Sequence, residues 1–403
     1  MRWLVDTLWS RQYKNAHPWR AIAHHYCAPS VRERKTMGQR NWTMAKKKSS
    51  QTRAPAASKE RQPTLNRLDR DLVKLLNQRA KAYQQLEKTG DLANGNAVAN
   101  GVAAANKGPL TEQTIEAIFR ELHSGCTQLR ENIRVAFLGP VYSYSHIAAI
   151  KRFGQSHELV PVGTIAAVFE SVNRGQCQFG IVPIENSTDG RVVDTLEMFA
   201  RLPVKICGEV NLHIHHFLLS LSQRAEIKEI YSKPQALSQC RGWLARHMPG
   251  SRLVEMTSTA AAAQLASEKP GAAAIASLQA GINYGLQPAA SNIEDNKNNI
   301  TRFAVIGDAS PKRTGHDKTS LMFQISHQPG TLADVMAIFK RNRLNLTWIE
   351  SFPMAGTPNE YLFFVELEGH QNDAKVKRSL TSLEKKTVRL DALGSYEISQ
   401  AVQ

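Results

Sequence analysis

Glu185, Asn186, Ser187, Thr188 and Asp189 follow one another just past the apolar run 179–182 and Pro183. Carboxylates, an amide and hydroxyls in so short a stretch can hold a polar ligand by hydrogen bonds. The apolar run, punctuated by Gly175 and Gly180, reads as a buried α/β strand that Pro183 ends. Open α/β sheets bind ligands just beyond the carboxyl ends of such strands. Thr188 and Asp189 are placed to cap a helix from near Arg191, whose N-terminus would attract a carboxylate or phosphate. An ordinary strand–turn–helix junction would carry the same residues, so this stretch alone leaves both readings open.

Other stretches offer matching chemistry. Residues 134–138 run as a strand into GPVYSYSHIAAIKRFG, where Gly139-Pro140 turns the chain and Ser143 or Ser145 caps a helix over 146–153. Tyr142, Ser143, Tyr144, Ser145 and His146 thus gather at a second strand end; His146 taken alone is as well read as a capping or packing histidine. Gln235 and Gln239, in SKPQALSQC, carry amides suited to neutral hydrogen bonding of carboxylate or hydroxyl. Ser258 opens a helix in MTSTAAA. In NNITRF the hydroxyl of Thr301, the guanidinium of Arg302 and the ring of Phe303 meet at the entrance to the apolar run 304–306. Arg302 can grip a carboxylate with two hydrogen bonds; a structural ion pair, with Phe303 in the core, is the alternative.

The elements that must position these groups follow from the rest of the 403 residues, a length that allows several domains with real cores. The net charge of +16 is uneven: residues 1–62 hold 14 Lys and Arg against 3 acids, +11, leaving +5 for the other 341. That balance argues against nucleic-acid binding, which needs its charge on the folded face. Cys27, Cys126, Cys177, Cys207 and Cys240 are scattered without metal-ligand spacing, as small buried hydrophobes of a reducing cytosol. No apolar run is long enough for a membrane. Residues 1–8 are too short for a signal peptide, while a basic transit-like segment stays open. Residues 1–61 read as a disordered basic extension, with translation starting at Met44.

Apolar positions 65, 68, 72, 75, 76, 83 and 86 form one helical stripe, and a second helix covers 110–129, so 62–130 is a helical region with a Gly/Ala/Asn linker inside it. Repeated strand–turn–helix units over 134–310 imply two α/β lobes across a cleft. Residues 317–402 read βαββαβ, a ferredoxin-like order: strands at 319–325, 344–353, 361–367 and 388–394, helices at 331–339 and 373–383, with the AGTPN turn between the middle strands. The fold class is therefore multidomain, α/β plus α+β.

The stretch FGIVPIENSTDGRVVDT resembles the signature of prephenate dehydratase, and the other motifs follow in order. Tyr142-Ser143 stands where that family has Gly-Thr before Tyr-Ser-His, Lys233 where it has His before Pro-Gln, and Thr301-Arg302-Phe303 matches. LDRDLVKLLNQRA and AIFRELHSGC resemble the first and last helices of the helical chorismate mutases. Arg79 matches one of their substrate-gripping cations and Lys88 lies two positions from another, but the linker replaces the middle helix. A packing or dimerisation arm is the resulting expectation, with mutase activity feeble if it survives at all. Residues 317–402 resemble the ACT regulatory domain, with PGTLADV and IESFP at its ligand motifs and Phe352 in place of an Arg.

The resemblance is thus to the bifunctional P-proteins. It implies a periplasmic-binding-protein-like two-lobed domain, its second lobe inserted at about 212–287, that converts prephenate to phenylpyruvate, losing water and CO2, in L-phenylalanine synthesis. It implies no metal or organic cofactor, a cytoplasmic homodimer or tetramer, and phenylalanine as effector. Thr301 would donate to the leaving hydroxyl, with Glu185 and Asn186 ordering the pocket. Ser143, Ser145, His146, Ser187, Gln235, Gln239, Ser258, Arg302 and Phe303 would bind substrate. Gly330, Leu332, Asn345, Glu350 and Ser351 would hold phenylalanine. An arogenate dehydratase and a non-catalytic sensor of aromatic metabolites are the alternatives.

Overall fold

The computed structural model describes residues 57–85, 101–102, 104–353, 360–399 and 401–402. The expectations for the basic extension up to residue 56, the Met44 start, Lys88, the linker over 91–100 and the AGTPN turn lie outside these residues. Helix α1 spans Ala57–Gln85 and α2 spans Glu112–Gln128, where Thr111 caps by accepting from Thr114 N. Leu65, Leu68, Leu72 and Leu75 of the α1 stripe are more than half exposed. The end of α1 meets α2 through Tyr83 Oη and Thr127 Oγ1, 3.3 Å apart.

The first sheet contains β1 (Arg134–Leu138), β2 (Glu158–Val162), β3 (Phe179–Asn186), β4 (Gly190–Arg191), β5 (Lys205–His213), β11 (Ile300–Gly307) and β16 (Ala401–Val402). Its order is β16-β5-β11-β3-β1-β2, with β4 paired to β3. Strand alternation sorts its side chains. Val135, Phe137, Phe179, Ile181, Phe303 and Val305 pack with helix α3 (Tyr144–Phe153). Ala136, Val182, Ile184, Ala304 and Ile306 face the other way, onto α4 (Ile165–Asn173) and α5 (Val193–Arg201).

Pro183 does not end the strand: β3 continues to Asn186. Its pairing with β1 stops at Ile181, so the missing N–H falls where that ladder is already over. On the β11 side a bulge takes up the irregularity between Arg302 and Phe303. Nor do Thr188 and Asp189 cap a helix. They form the turn of a β3–β4 hairpin, and α5 starts at Val193 after Val192, which makes no side-chain cap.

After β5 the chain leaves the first sheet and returns as β11. Between them lie β6 (Phe217–Ser220), β7 (Glu229–Ser232), β8 (Arg252–Glu255), β9 (Ala272–Ala276) and β10 (Gln287–Ala290), ordered β10-β6-β9-β7-β8 in a second sheet. Helices α6 (Pro234–Gln239), α7 (Arg241–His247), α8 (Thr259–Glu268) and α9 (Leu278–Asn283) accompany it. Strand β9, all Ala but for Ile275, is wholly buried, and its small side chains admit close packing by α8.

A third sheet holds β12 (Asp317–Gln324), β13 (Leu346–Pro353), β14 (Tyr361–Glu368) and β15 (Arg389–Glu397), with α10 (Thr331–Arg341) and α11 (Ala374–Glu384). The order is β13-β14-β12-β15, with every neighbouring pair antiparallel. Leu321, Phe323, Val365 and Leu367 face the two helices, whereas Met322, Phe352, Leu362, Phe364 and Tyr396 join the core beneath the first sheet. Both faces of β12 are therefore covered, and all eight of its residues are buried. Strand β15 approaches β5 so closely that a Cβ on Gly394 would run into Ile206 O. No helix among the described residues is long and apolar enough to cross a membrane.

Candidate functional site

Asn186, at the end of β3, is 6 % exposed and anchored by its own turn. Its Oδ1 accepts from the backbone N–H of Thr188 (2.9 Å) and of Asp189 (3.1 Å), which fixes the amide orientation. Its Nδ2 must then donate, and it does so to Thr301 Oγ1 at 2.7 Å and Asn299 Oδ1 at 2.9 Å. Asn299 Nδ2 donates to Gln239 Oε1 at 3.0 Å, and Gln239 Nε2 donates to Asp189 Oδ2 at 2.7 Å. The hydrogen bonds close a ring, Asn186–Asn299–Gln239–Asp189, that joins the first sheet to α6 beside the second. Gln235 Nε2 adds a short donation to the same Asp189 oxygen.

A second layer supports the ring. Because Gln239 Oε1 is an acceptor, His216 Nε2, 2.9 Å away, carries the ring proton. Burial lowers the His216 pKa, which keeps the ring neutral. Its Nδ1 lies 3.0 Å from Tyr144 Oη, whose own pKa burial pushes up. Glu294, buried, accepts from His216 N at 2.9 Å. Ser187 ties the hairpin to β11 by donating to Asn298 O and accepting from Ile300 N. Ser143 caps α3, taking His146 N at 3.4 Å, and the helix starts two residues earlier than 146. His146 Nδ1 accepts from Tyr142 N at 3.1 Å, with its ring against Phe137. Ser145 is buried on α3, and Ser258 caps α8 through Ala261 N.

Thr301, Asn186, Gln235 and Gln239 are thus brought together with Ser187 beside them, while the contacts of Ser143 and His146 are with their own turn and Phe137. Glu185, Arg302 and Phe303 are not part of the group. Successive strand residues point to opposite faces, so Thr301 and Asn186 share one face of the sheet while Arg302 and Glu185 share the other. Arg302 Nη1 donates to Glu185 at 2.7 Å and Nη2 to Glu366 at 2.7 Å; the guanidinium is committed to protein carboxylates rather than open to a ligand. Phe303, 2 % exposed, is core. Sequence reasoning missed Asn299, His216 and Glu294. Asn299 had a signal: it lies two residues from Thr301, hence on the same face. His216 and Glu294 had none, being paired across 78 residues.

The residues expected to hold phenylalanine also divide. Gly330, at φ 86°, opens α10 without capping it, and Leu332 is exposed. Asn345 donates to Glu368 at 2.9 Å. Alternation along β13 puts Glu350 with Trp348 and Phe352 toward the first sheet, where Arg191 takes Glu350 at 2.6 Å, and turns Ser351 to the opposite face. Glu350 and Ser351 therefore do not line one ligand on one face. Arg79 is applied to α2, donating to Cys126 Sγ at 3.3 Å.

Paired amides, a hydroxyl and a carboxylate gather where two α/β sheets meet, the kind of place at which α/β proteins hold small polar molecules. Residues 135–311 match the family model described as prephenate dehydratase. The bifunctional chorismate mutase/prephenate dehydratase of Aquifex aeolicus is 38% identical over 84% of this chain and 97% of its own. The chain belongs to the bifunctional chorismate mutase/prephenate dehydratase family. Among solved structures, a prephenate dehydratase in complex with L-Phe from Arthrobacter aurescens is 30% identical, covering 66% of this chain and 90% of that one at a TM-score of 0.62. A quorum-quenching acylase, GqqA, is 28% identical, with 66% and 98% coverage and a TM-score of 0.61.

Proposed function

We propose that the protein is a prephenate dehydratase, and the Asn186–Thr301 hydrogen bond carries this reading. Prephenate loses CO2 and its ring hydroxyl together, driven by aromatisation to phenylpyruvate, so the protein's task is to help hydroxide leave. Asn186 gives an N–H to Thr301 Oγ1. A threonine hydroxyl has a single hydrogen, and with Asn186 as donor that hydrogen is left to donate to the departing oxygen. Gln235 and Gln239, whose amides now share the Asp189 carboxylate, would anchor a substrate carboxylate in its place. Glu185, paired with Arg302 on the other face, takes no direct part.

Residues 134–310 form the dehydratase domain on this reading, with the second sheet as its inserted lobe. The antiparallel order of the third sheet supports an ACT module of ferredoxin-like topology over 317–402 with phenylalanine as effector. Phe352 occupies the core, and Glu350 serves Arg191, so the ligand contacts fall to Gly330, Leu332 and Asn345. The exposed leucines of α1 suit a dimer arm, with the enzyme a cytoplasmic homo-oligomer. Arg79 lies against α2, so the helical region 62–130 serves as a packing or dimerisation arm whose mutase activity, if it survives, is feeble.

Purified protein incubated with prephenate and, separately, arogenate tests the assignment by the phenylpyruvate and phenylalanine formed. Prephenate is the expected substrate, because the matching family model and the Aquifex aeolicus relative are both described as prephenate dehydratase. Turnover of neither leaves a binding protein for such acids.

A further inference from the structure

Five buried or half-buried charges lie where the first and third sheets meet, on the face of β11 opposite Thr301. Arg302 Nη2 reaches both oxygens of Glu366, at 2.8 and 2.7 Å, while Nη1 holds Glu185 at 2.7 Å. Lys318 Nζ is 2.6 Å from Glu209 and 3.0 Å from Glu366. Tyr396 Oη donates to Glu366 at 3.1 Å, and Arg302 lies over the Trp348 ring, 5.3 Å from its centroid. Glu366, Lys318, Trp348 and Tyr396 come from the third sheet; Glu185, Glu209 and Arg302 come from β3, β5 and β11. Such a group is costly to bury and contributes little net stability over apolar packing, but it fixes one geometry, since a lost partner leaves an uncompensated charge.

Glu185 and Arg302 are the immediate chain neighbours of Asn186 and Thr301. We propose that Glu366 is a positioning residue for the dehydratase site: through Arg302 and Glu185 it sets the separation of β3 and β11 that brings Asn186 to Thr301. The third sheet thereby reaches the site without touching substrate. Burial alone would lower the Arg302 pKa, but the Glu366 and Glu209 carboxylates outweigh it and hold the guanidinium charged. Burial opposes the Glu366 charge, and Lys318 and Arg302 overcome it, holding that carboxyl below its usual range. The two directions agree, as a mutually dependent pair requires.

The inference rests on the dehydratase reading for its effect on rate, but not for its effect on structure. Glu366→Gln keeps the shape and removes the charge; Glu366→Asp keeps the charge and shortens the reach. Full-length protein is compared by hydrogen exchange at the amides of residues 185–187 and 300–302 and by prephenate kinetics. In Glu366→Gln those amides should exchange roughly tenfold faster or more while β1, β6 and β9 keep their protection, and kcat should fall roughly 10- to 100-fold with KM within about twofold. Glu366→Asp should recover part of both. Unchanged exchange at residues 186 and 301 in either variant overturns the proposal whatever the rate does, as does a loss of protection spread evenly over all three sheets. If the wild type turns over no prephenate, the dehydratase reading falls and exchange alone still decides the positioning role.

Discussion

Thr301 and Asn299 have separable parts at the site, because one presents its hydroxyl and the other only links amides. Thr301→Ala removes the donor and should lower kcat by roughly 10²-fold or more with unchanged circular dichroism; a normal kcat would take Thr301 out of the mechanism. Asn299, 1 % exposed, satisfies Asn186 and Gln239 at once. Asn299→Ala removes one hydrogen bond from Asn186 and one from Gln239, which keep Thr301 and His216 as second partners, at about 0.5–1.5 kcal/mol per lost bond. A lower melting temperature together with a lower kcat is expected; a drop in stability with kcat intact would show that the ring is only structural.

At the level of elements, α2 docks over a cavity lined by Arg120, His123, Thr127, Ile133, Arg152, Phe153 and His157. Among the described residues neither ring nitrogen of His123 finds a hydrogen-bond partner, and burial, then the Arg79 charge, lowers its pKa to about 4. His157 and Arg152 also act on it in that direction. The folded pKa lies below the unfolded value near 6.5, so the unfolded chain takes the proton first as pH falls. Stability from this contact is full above about 6.5 and declines toward about 4. Urea unfolding at about pH 7 and about pH 5 should therefore show a smaller loss in His123→Leu than in wild type. Equal losses in the two proteins would place the acid sensitivity elsewhere. Tyr142 is the other telling element: it holds φ 68°, a left-handed conformation costly for a side chain, where the family has glycine. Its ring packs on Tyr284 beside the second sheet, which offsets that cost.

For the molecule as a whole, the first and third sheets meet at a junction where Arg302, Glu366 and Lys318 lie together, and an effector bound to the third sheet would act on the site through it. Phenylalanine is expected to inhibit prephenate turnover, with a coupling of about 1–3 kcal/mol, by favouring one arrangement of that junction. Gly330→Val puts a β-branched residue at φ 86° over the ligand turn. It should abolish inhibition and keep turnover. If millimolar phenylalanine changes neither activity nor sedimentation of the wild type, the third sheet with its helices is a dimerisation or positioning module only.

By itself the sequence determined β1, the body of β3 and the order of strands and helices over 317–402, because hydrophobic periodicity and Gly, Pro and Ser/Thr signals are local. It also picked out Asn186, Thr301, Gln235 and Gln239, which stand in motifs. The tertiary structure decided which neighbours act together. Alternation about a single strand sends Asn186 and Thr301 to one face and Glu185 and Arg302 to the other, and only the register of β3 on β11 shows which face meets which partner. The same holds for Glu350 and Ser351. Glu366 carries no local mark of its connection to Thr301, because the contact is made 64 residues away through Arg302. Pro183 looked like a strand end because its lost N–H is read from sequence alone; the structure places it where β1 no longer asks for one.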